Sequence, residues 1–566
     1  MNQQKTGRFL KELRNKKKLT QEQFAEILGV SNRSVSRWEN GINLPDLDLL
    51  IQIAKYYDVE IEEILDGERY FSETERFVKA NGGYCMSNES VNPEWEKLKK
   101  ETPAWFRDAK FGLFFHWGPY SVPAYKNEWY SRNMYARKNS INKYHVETYG
   151  KVQEFGYKDF YPMMKGEKFD PEEWADIIVR SGAKYAGPVT EHSDNFSMWN
   201  SQVNEINSVN YGPKRDVVGE CAEAFRKRGI RYLATFHHQW LWGWFMSTDP
   251  DADVYDPANE KYYWKALPLE CSRYMPYRLP DDEFNRMWLD KVNEVVDKYH
   301  PDVVYFDSRT CIIDETYRMK MVEHLYESGE DVTLTYKQED FPKDVGVYDI
   351  ERGRFEEAKP FPWQTDDRLE DNVTWCMVQN PKYKPAHQII HQLCDIVAKN
   401  GNLLLNVGPY ADGSFHPDAI AQLEKIGDWL KLNGEAIYGT RPFKVAGEGP
   451  TKIEDADYDI EMVNAQLNNA EGEESSADDT ATGVFTAKDF RFTQTATNVY
   501  AIALGWPKDG RFQIHGFKKS LLPSISKVAL IGADESLVYT QTEDYLEVIL
   551  PKERPCKYAY VIKVTP

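Results

Sequence analysis

The first 66 residues carry apolar positions at the spacing of short α-helices. Those positions are Phe9, Leu10, Leu13, Phe24, Ala25, Ile27 and Leu28. Thr20, with Gln23 at the third helical position, has the pattern of a helix N-cap, and Ser31 has the same character before the next segment. Gly29 separates the two segments. The pattern predicts an all-α domain over residues 1–66, with five short helices and a helix, tight turn and helix at its centre.

Strand-like apolar runs alternate with helical stretches over residues 96–437. The runs are FGLFFHWG, KYAGPVT, RYLATFHH, DVVYFDS, VTLTYK, VYDIER and NLLLNVG. Such alternation predicts a parallel sheet flanked by helices. Seven runs suit a (β/α)8-like barrel with one strand missed or irregular, and a doubly wound sheet is the alternative. Residues 67–95, with Gly82-Gly83 and little periodicity, have the character of a linker.

Polar residues at the ends of these runs favour the barrel. They are His116, His192, His237, His238, Asp307, Lys337, Glu351 and Asn406. Barrel enzymes collect their chemistry at the carboxyl ends of the strands, so we expect these side chains to meet there.

Residues 438–566 change to short alternating strands. The runs are NVYAIALGWP, RFQIHGF, SKVALIGAD, YLEVILP and YAYVIKV, with turn residues between them. This pattern predicts a C-terminal β-sandwich, which makes the protein multidomain. The acidic run EGEESSADD, from Glu471 to Asp479, is interpreted as a solvated loop.

Charge limits what the chain can bind as a whole. It has 70 Lys and Arg against 90 Asp and Glu, a formal net charge of −20. This excludes wholesale coating of nucleic acid or of an anionic membrane. Residues 1–38 nevertheless hold nine Lys or Arg and three Asp or Glu, so a local basic face of +6 is confined to the first domain.

Cysteine usage and the N-terminal segment indicate the compartment. Seven scattered cysteines with no CxxC pair suit neither a disulfide framework nor a zinc site, so we predict no metal and no cofactor. Charges interrupt MNQQKTGRFLKELRNKKK, which therefore lacks the apolar core of a signal peptide, and no 18-residue apolar run follows. We predict a cytoplasmic protein with no membrane partner.

The stretch LTQEQFAEILGVSNRSVSRWENGINLPDLDLLIQIAKYYDVEIEEIL resembles the Cro/C1-repressor (Xre) type of helix-turn-helix domain, most specifically from Leu19 to Pro45. In that family the second helix of the pair lies in the major groove, which implies DNA as a partner. The residues presented there would be Asn32, Arg33, Ser34, Ser36 and Arg37. Gln21 would meet a phosphate. One module reads a short half-site, so a homo-oligomer is expected, and a fold kept for dimerisation or protein contact is the alternative.

A second set of motifs spans residues 103–445. In order they are PAWFRDAKFGLFFHWGPYSVPAY, NEWYSRNMY, DVVGECAEAFRKRGIRY, PDVVYFD, and NGNLLLNVGPYADG followed by IGDWLKLNGEAIYGTRP. On these motifs the chain resembles glycoside hydrolase family 29, the α-L-fucosidases. The resemblance implies hydrolysis of terminal α-L-fucosyl residues of oligosaccharides by double displacement.

Retaining hydrolysis needs two carboxyl groups about 5–5.5 Å apart, one as nucleophile and one as acid/base. The resemblance places the nucleophile at Asp307 and the acid/base at Glu351, each at the end of an apolar run. Competitors for the acid/base are Glu356, Glu357 and Asp366, whose other interpretation is a loop of solvated acids. Glu351 is preferred because a strand end positions a side chain better than a loop does.

Sugar hydroxyls suit neutral histidine, which donates through one ring nitrogen and accepts through the other. The resemblance assigns this task to His116 and His192. It adds Glu128 as an acceptor and Trp129 as an aromatic face.

Four further positions complete the expected sugar site or depart from the family pattern. One of His237 and His238 should reach the ligand, and Lys337 stands where some members carry arginine. The family's HHDGF is written here as HSDNF, starting at His192, so one sugar-binding histidine is missing. For Trp240, Trp242 and Trp244, core packing beneath a loop is favoured over a substrate platform.

Three hypotheses follow from these motifs. The first is an enzyme that cleaves fucosides, and the second is a transcription regulator whose barrel senses fucosides without turning them over. The third is an enzyme whose DNA module is inert. Retention of both carboxylates favours catalysis, whereas the attached module and the HSDNF sequence favour sensing.

Overall fold

The computed structural model describes residues 3–66, 92–267, 279–451 and 485–566, apart from positions 18, 58, 60, 138, 248, 338–339, 373 and 535. The chain divides into two compact units, residues 1–80 and 81–566. The predicted acidic loop, 471–479, and most of the predicted linker lie outside the described residues.

The N-terminal unit is all-α, as predicted. Its helices are α1 (Gln3–Lys16), α2 (Gln21–Ile27), α3 (Asn32–Glu39), α4 (Leu47–Tyr57) and α5 (Ile61–Asp66). Thr20 and Gln23 form the predicted capping box, each side chain accepting a hydrogen bond from the other's backbone N–H. Ser31 caps α3 by accepting from the backbone N–H of Ser34, and Gly29 takes a φ of +66° in the turn.

Eight parallel strands form a closed barrel in chain order, which confirms the barrel over the doubly wound sheet. The strands are β1 (Phe111–Phe115), β2 (Tyr185–Glu191), β3 (Arg231–Phe236), β4 (Val303–Phe306), β5 (Thr333–Lys337), β6 (Val347–Asp349), β7 (Trp363–Arg368) and β8 (Gly401–Asn406). Closure comes from β8 pairing with β1, where Leu403 lies opposite Phe111.

The strand that the apolar pattern missed is β7. Its sequence, WQTDDR, holds one apolar residue, yet all six side chains are buried. Hydrogen bonds hold polar side chains of this strand inside the barrel: the Thr365 hydroxyl donates to the Ile350 carbonyl at 2.7 Å, and the Tyr305 hydroxyl donates to Asp366 at 3.2 Å. A strand buried through polar contacts gives no hydropathy signal.

Helices pack around the barrel. They are α6 (Ala104–Ala109), α7 (Tyr130–Asn133), α8 (Ser140–Thr148), α9 (Pro171–Ser181), α10 (Val217–Lys227), α11 (Glu260–Tyr263), α12 (Asp282–Tyr299), α13 (Glu315–Glu327), α14 (Ala386–Ala398) and α15 (Pro417–Asn433). No helix among them is long and apolar enough to cross a membrane, and the same holds for α1 to α5.

The end of the predicted linker belongs to the barrel unit. Residues Pro93–Leu98 form a 3-10 helix, and Trp95 is buried with its indole N–H donating to Glu315 at 2.9 Å. The sequence pattern did not predict this burial, because Trp95 is a single apolar residue among turn-forming residues.

The C-terminal region forms two antiparallel sheets, in agreement with the predicted sandwich. Its strands are β9 (Arg441–Glu448), β10 (Phe490–Gln494), β11 (Val499–Ala503), β12 (Arg511–Ile514), β13 (Lys527–Leu530), β14 (Tyr539–Gln541), β15 (Leu546–Ile549) and β16 (Tyr560–Thr565). One sheet runs in the order β13-β16-β11-β10-β9 and the other in the order β12-β15-β14. The sandwich docks on the barrel through a buried ion pair between Arg491 and Asp395 of α14.

Candidate active site

The carboxyl ends of the barrel strands converge on one pocket. The residues that line it are His116, Glu128, Trp129, His192, His237, Trp240, Asp307, Ser308, Lys337, Glu351, Asp366 and Trp375. Most of the predicted site residues are therefore brought together, although they span more than 230 positions of the chain. The parallel barrel explains this, because successive strands end at the same rim.

His116 is oriented by its neighbour across the barrel seam. It follows β1, and its Nδ1 lies 2.7 Å from Oδ1 of Asn406, the last residue of β8. The backbone N–H of His116 donates to the same oxygen at 3.2 Å. An amide oxygen only accepts, so Nδ1 carries the proton and the lone pair of Nε2 is left for a ligand.

Three imidazoles stand together at this side of the pocket. The ring centroids are 5.6 Å apart for His116 and His192, 5.2 Å for His116 and His237, and 4.9 Å for His192 and His237. Burial lowers the pKa of His116 to about 4 and the pKa values of the other two well below the ordinary range. All three are neutral at pH 7, the state in which histidine both donates to and accepts from hydroxyls.

Lys337, the last residue of β5, binds three carboxylates. Its Nζ lies 3.0 Å from Asp307 Oδ1, 2.7 Å from Glu351 Oε2 and 3.2 Å from Asp366 Oδ2. Burial alone would lower the pKa of the ammonium, but the negative charges of Asp307, Asp366 and Glu351 raise it well above the ordinary value. Lys337 therefore stays charged and fixes the spacing of the acids around it.

The three carboxylates differ in accessibility. The Asp307 side chain is 20% exposed, against 6% for Glu351 and 3% for Asp366. Asp307 follows β4, and its backbone is held on both sides: its N–H donates to the Phe236 carbonyl at 3.0 Å, and its carbonyl accepts from Gln239 at 2.6 Å. A rigid, accessible carboxylate is what attack on a sugar carbon requires.

Glu128 and two tryptophans form a further part of the pocket wall. Glu128 Oε2 accepts from the backbone N–H of Trp375 at 2.9 Å, which ties the loop after β7 to the segment after β1. Burial raises the pKa of Glu128 to about 7. Trp129 lies beside Trp240, with ring centroids 5.6 Å apart, and the pocket thus presents flat apolar faces as well as polar groups.

Two of the predicted assignments need correction. His238 does not line the pocket: its Nε2 lies 3.2 Å from the Trp288 carbonyl, and its ring stacks on that indole in the packing against α12. Residues 237 and 238 both follow the end of β3, and of the two only His237 lines the pocket. Asp366 is not a solvated loop acid but a buried residue of β7, and burial raises its pKa well above the ordinary value.

The other competing acids lie elsewhere. Glu356 and Glu357 are exposed and line a different cavity, beside β9. Of the acids proposed as acid/base, Glu351 and Asp366 are those that reach the pocket.

Sequence reasoning missed Ser308 and Trp375, and it favoured core packing for Trp240. Ser308 directly follows Asp307, and this position next to the predicted nucleophile could have identified it as a pocket residue. Trp375 lies in a loop, and nothing in the sequence pattern identified it as a pocket residue. Trp242 and Trp244 are core residues: the first packs on Phe284 and the second donates its indole N–H to Ser131 at 2.8 Å.

The HSDNF departure has a conformational component. Asn195 adopts a φ of +62°, a region that asparagine tolerates better than other residues with a Cβ atom. Its side-chain amide donates to the carbonyls of Lys261 and Tyr262, at 3.1 and 3.2 Å. Ser193 is buried but does not line the pocket, so position 193 supplies no replacement for the histidine that the family carries there.

In the N-terminal unit, α3 presents Asn32, Arg33 and Arg37 to solvent, with Ser34 and Ser36 half-buried. The amide N–H of Gln21, for which a phosphate contact is predicted, donates to Glu39 at 2.7 Å. Glu39 also pairs with Arg14 at 2.5 Å in the core of the unit, so the Gln21 side chain braces α2 against α3.

Comparison with known proteins gives a consistent result. Family models described as "Alpha-L-fucosidase", "Helix-turn-helix" and "Alpha-L-fucosidase C-terminal domain" match residues 80–435, 10–64 and 484–565. Tissue alpha-L-fucosidase of Rattus norvegicus is 29% identical over 493 residues, covering 84% of this chain and 92% of the relative. Plasma alpha-L-fucosidase of Homo sapiens is 28% identical over 496 residues, with the same two shares. The crystal structure of Thermotoga maritima alpha-fucosidase in complex with fucose is similar at 25% identity and a TM-score of 0.64, covering 84% of this chain and all of that one.

Proposed function

The chain belongs to the α-L-fucosidase family, glycoside hydrolase family 29, and we propose on this basis that it hydrolyses terminal α-L-fucosyl residues with retention of anomeric configuration. Asp307 is the nucleophile and Glu351 the acid/base. The observation that carries the proposal is their common attachment to Lys337 within one pocket.

That attachment limits their separation. The facing oxygens of Asp307 and Glu351 cannot be further apart than the sum of their two distances to Lys337 Nζ, 3.0 and 2.7 Å. For this pair of oxygens, the limit lies near the roughly 5–5.5 Å between the carboxyl groups of retaining enzymes and below the roughly 6.5–9.5 Å of inverting enzymes, which supports retention.

The reaction then proceeds in two displacements. An Asp307 oxygen attacks the anomeric carbon while the bond to the leaving oxygen breaks and Glu351 gives that oxygen a proton. Glu351, now a carboxylate, takes a proton from water, whose oxygen displaces Asp307 from the sugar. The neutral imidazoles of His116, His192 and His237 bind the sugar hydroxyls throughout, and Trp129 packs on an apolar part of the ring.

The test is hydrolysis of an aryl α-L-fucoside by the purified chain, followed by proton NMR. Retention predicts that the α anomer of free fucose appears first and mutarotates afterwards. Initial release of the β anomer would refute the retaining assignment. Binding of the fucoside without turnover would favour the sensor hypothesis.

We propose in addition that the N-terminal unit binds DNA through α3. The match to a helix-turn-helix model, the solvent-exposed Arg33 and Arg37, and the local charge of +6 support this. A DNA partner also supports the cytoplasmic location and the dimer that we expect. Electrophoretic mobility shift after selection from a random duplex pool tests the proposal, and enrichment of no sequence would leave the unit as a protein-contact element.

A further inference from the structure

We propose that the three-histidine cluster His116, His192 and His237 is a binding site for a divalent transition-metal ion such as Zn²⁺, and that this ion competes with the sugar. Each of the three can offer one ring nitrogen, and these atoms all lie within 4.8 Å of one another. Three imidazoles and one open position are the ligand set of catalytic zinc sites.

The ring nitrogens are available for an ion. His192 Nδ1 and His237 Nε2 are buried and find no hydrogen-bond partner among the described residues. His116 uses Nδ1 for Asn406, which leaves Nε2. Metal-binding histidines commonly give their other ring N–H to a carbonyl in this way, because it fixes both the tautomer and the ring plane.

The spacing is close to that of a bound ion. Three nitrogens of a tetrahedral site with metal–nitrogen bonds of about 2.0–2.1 Å lie roughly 3.3 Å apart. The widest pair of the cluster must therefore close by at most about 1.5 Å, which rotation of the side chains can supply.

The charge around the cluster also suits a cation. Four carboxyl groups line the pocket beside the single ammonium of Lys337. Burial raises the pKa of Glu128 and Asp366, so the negative charge of the pocket is assigned to Asp307 and Glu351. Nitrogen donors select Zn²⁺, Co²⁺, Ni²⁺ or Cu²⁺ over Mg²⁺ and Ca²⁺, which prefer oxygen. The composition of the chain gave no sign of this site, because the three histidines are 121 positions apart from first to last.

The competition with sugar rests on the proposed function, whereas ion binding does not. An ion occupies the lone pairs that would accept from sugar hydroxyls, so it should raise the KM for an aryl fucoside and leave kcat unchanged. Chelation with EDTA should restore the original KM.

Ion binding is measured on the full chain without a histidine tag, after dialysis against EDTA. Titration with Co²⁺ should produce the visible absorption of a tetrahedral ion and saturate at one equivalent. His237→Gln should weaken Co²⁺ affinity by more than about tenfold, since even indirect changes at metal sites commonly cost 10–100-fold. Mg²⁺ should not displace the Co²⁺.

The matched control is His324→Gln, a partly exposed histidine of α13 that pairs with Asp297. It should keep the Co²⁺ spectrum and affinity.

His192→Gln is the second test variant, used with circular dichroism to show that the fold persists. Equal Co²⁺ binding by the wild type and by either pocket variant, or its absence from an active wild-type enzyme, would overturn the metal site. One Co²⁺ equivalent with no hydrolysis by the metal-free chain would instead refute the proposed function and keep the site.

Discussion

Helix α3, which we propose binds DNA, and the barrel pocket place their candidate functional side chains in opposite surroundings. On α3, Arg33 and Arg37 are exposed, and Arg37 makes one long hydrogen bond, to Asn43 at 3.3 Å. In the pocket, Lys337 is 3% exposed and holds three carboxylates within 3.2 Å. Water and salt screen the first set, and they hardly reach the second.

This contrast sets the size of the effects that substitutions should have. A buried charged group that loses its partner keeps its desolvation penalty, so changes in the pocket are large and alter chemistry as well as affinity. An exposed arginine loses only its contact with the ligand. The predictions below run from the most buried chemistry to the most exposed contact.

Asp307→Ala should have the largest effect. It removes the atom that forms the covalent bond, and kcat/KM for an aryl fucoside should fall by on the order of 10⁴-fold or more. Lys337 keeps Glu351 and Asp366 as partners, so the thermal unfolding midpoint should change little. Asp297→Ala, at an exposed position of α12, is the control and should hydrolyse like the wild type. Near-normal turnover by Asp307→Ala would contradict the assignment of Asp307 as the nucleophile.

Glu351→Ala should discriminate between leaving groups. Natural glycosides need a proton on the leaving oxygen and should slow by about 10²–10⁴-fold, whereas an activated aryl fucoside should slow far less. Asp366→Asn is the matched comparison, since it removes the other candidate acid from the same ammonium. If the dependence on leaving group appears in Asp366→Asn instead, the acid/base role moves to β7.

The same contrast explains what could be predicted from the sequence. The helices of the N-terminal unit could be predicted from local sequence, because caps such as Thr20 and Ser31 and a turn at Gly29 mark their ends. The structure contains these helices as predicted. Barrel strands with apolar residues were equally visible. β7 was not, because its burial depends on hydrogen bonds to residues far away in the chain.

The direction of a side chain after a strand end was the second feature that could not be predicted from the sequence. His237 and His238 are adjacent and chemically identical, and only the packing of α12 decides which one leaves the pocket. The Gln21 contact is similar, because its partner Glu39 lies on another helix and is fixed by Arg14. Motifs identify residue types, whereas pairing across elements requires the fold.

His237→Gln and His238→Gln should separate these two positions. In metal-free buffer, His237→Gln should raise the inhibition constant of fucose by roughly 10–100-fold, because a hydroxyl loses its buried partner. His238→Gln should instead lower the thermal unfolding midpoint, since the stacked contact with Trp288 is lost, and leave fucose affinity within a factor of about two. Competition assays with an aryl fucoside measure both constants. Equal loss of affinity in the two variants would contradict the assignment of His237 to the pocket.

Arg33→Ala should have the smallest effect and the strongest dependence on salt. Arg33 makes no hydrogen bond or ion pair within the part of the chain that the structure describes, so its guanidinium is available to a base edge. Loss of one such contact should cost about 1 kcal/mol, the lower end of the roughly 1–3 kcal/mol for a good bidentate pair, because the arginine is fully hydrated when free. The loss should be confined to one position of the selected site and should relax selectivity there.

Lys55→Ala removes the same charge from α4 and is the control: it should weaken binding to every sequence slightly and alike. Mobility shifts of the full chain at two salt concentrations, on the selected duplex and on duplexes with one substituted base pair, measure these effects. Identical losses for Arg33→Ala and Lys55→Ala on every duplex would show that α3 contacts phosphates and not bases.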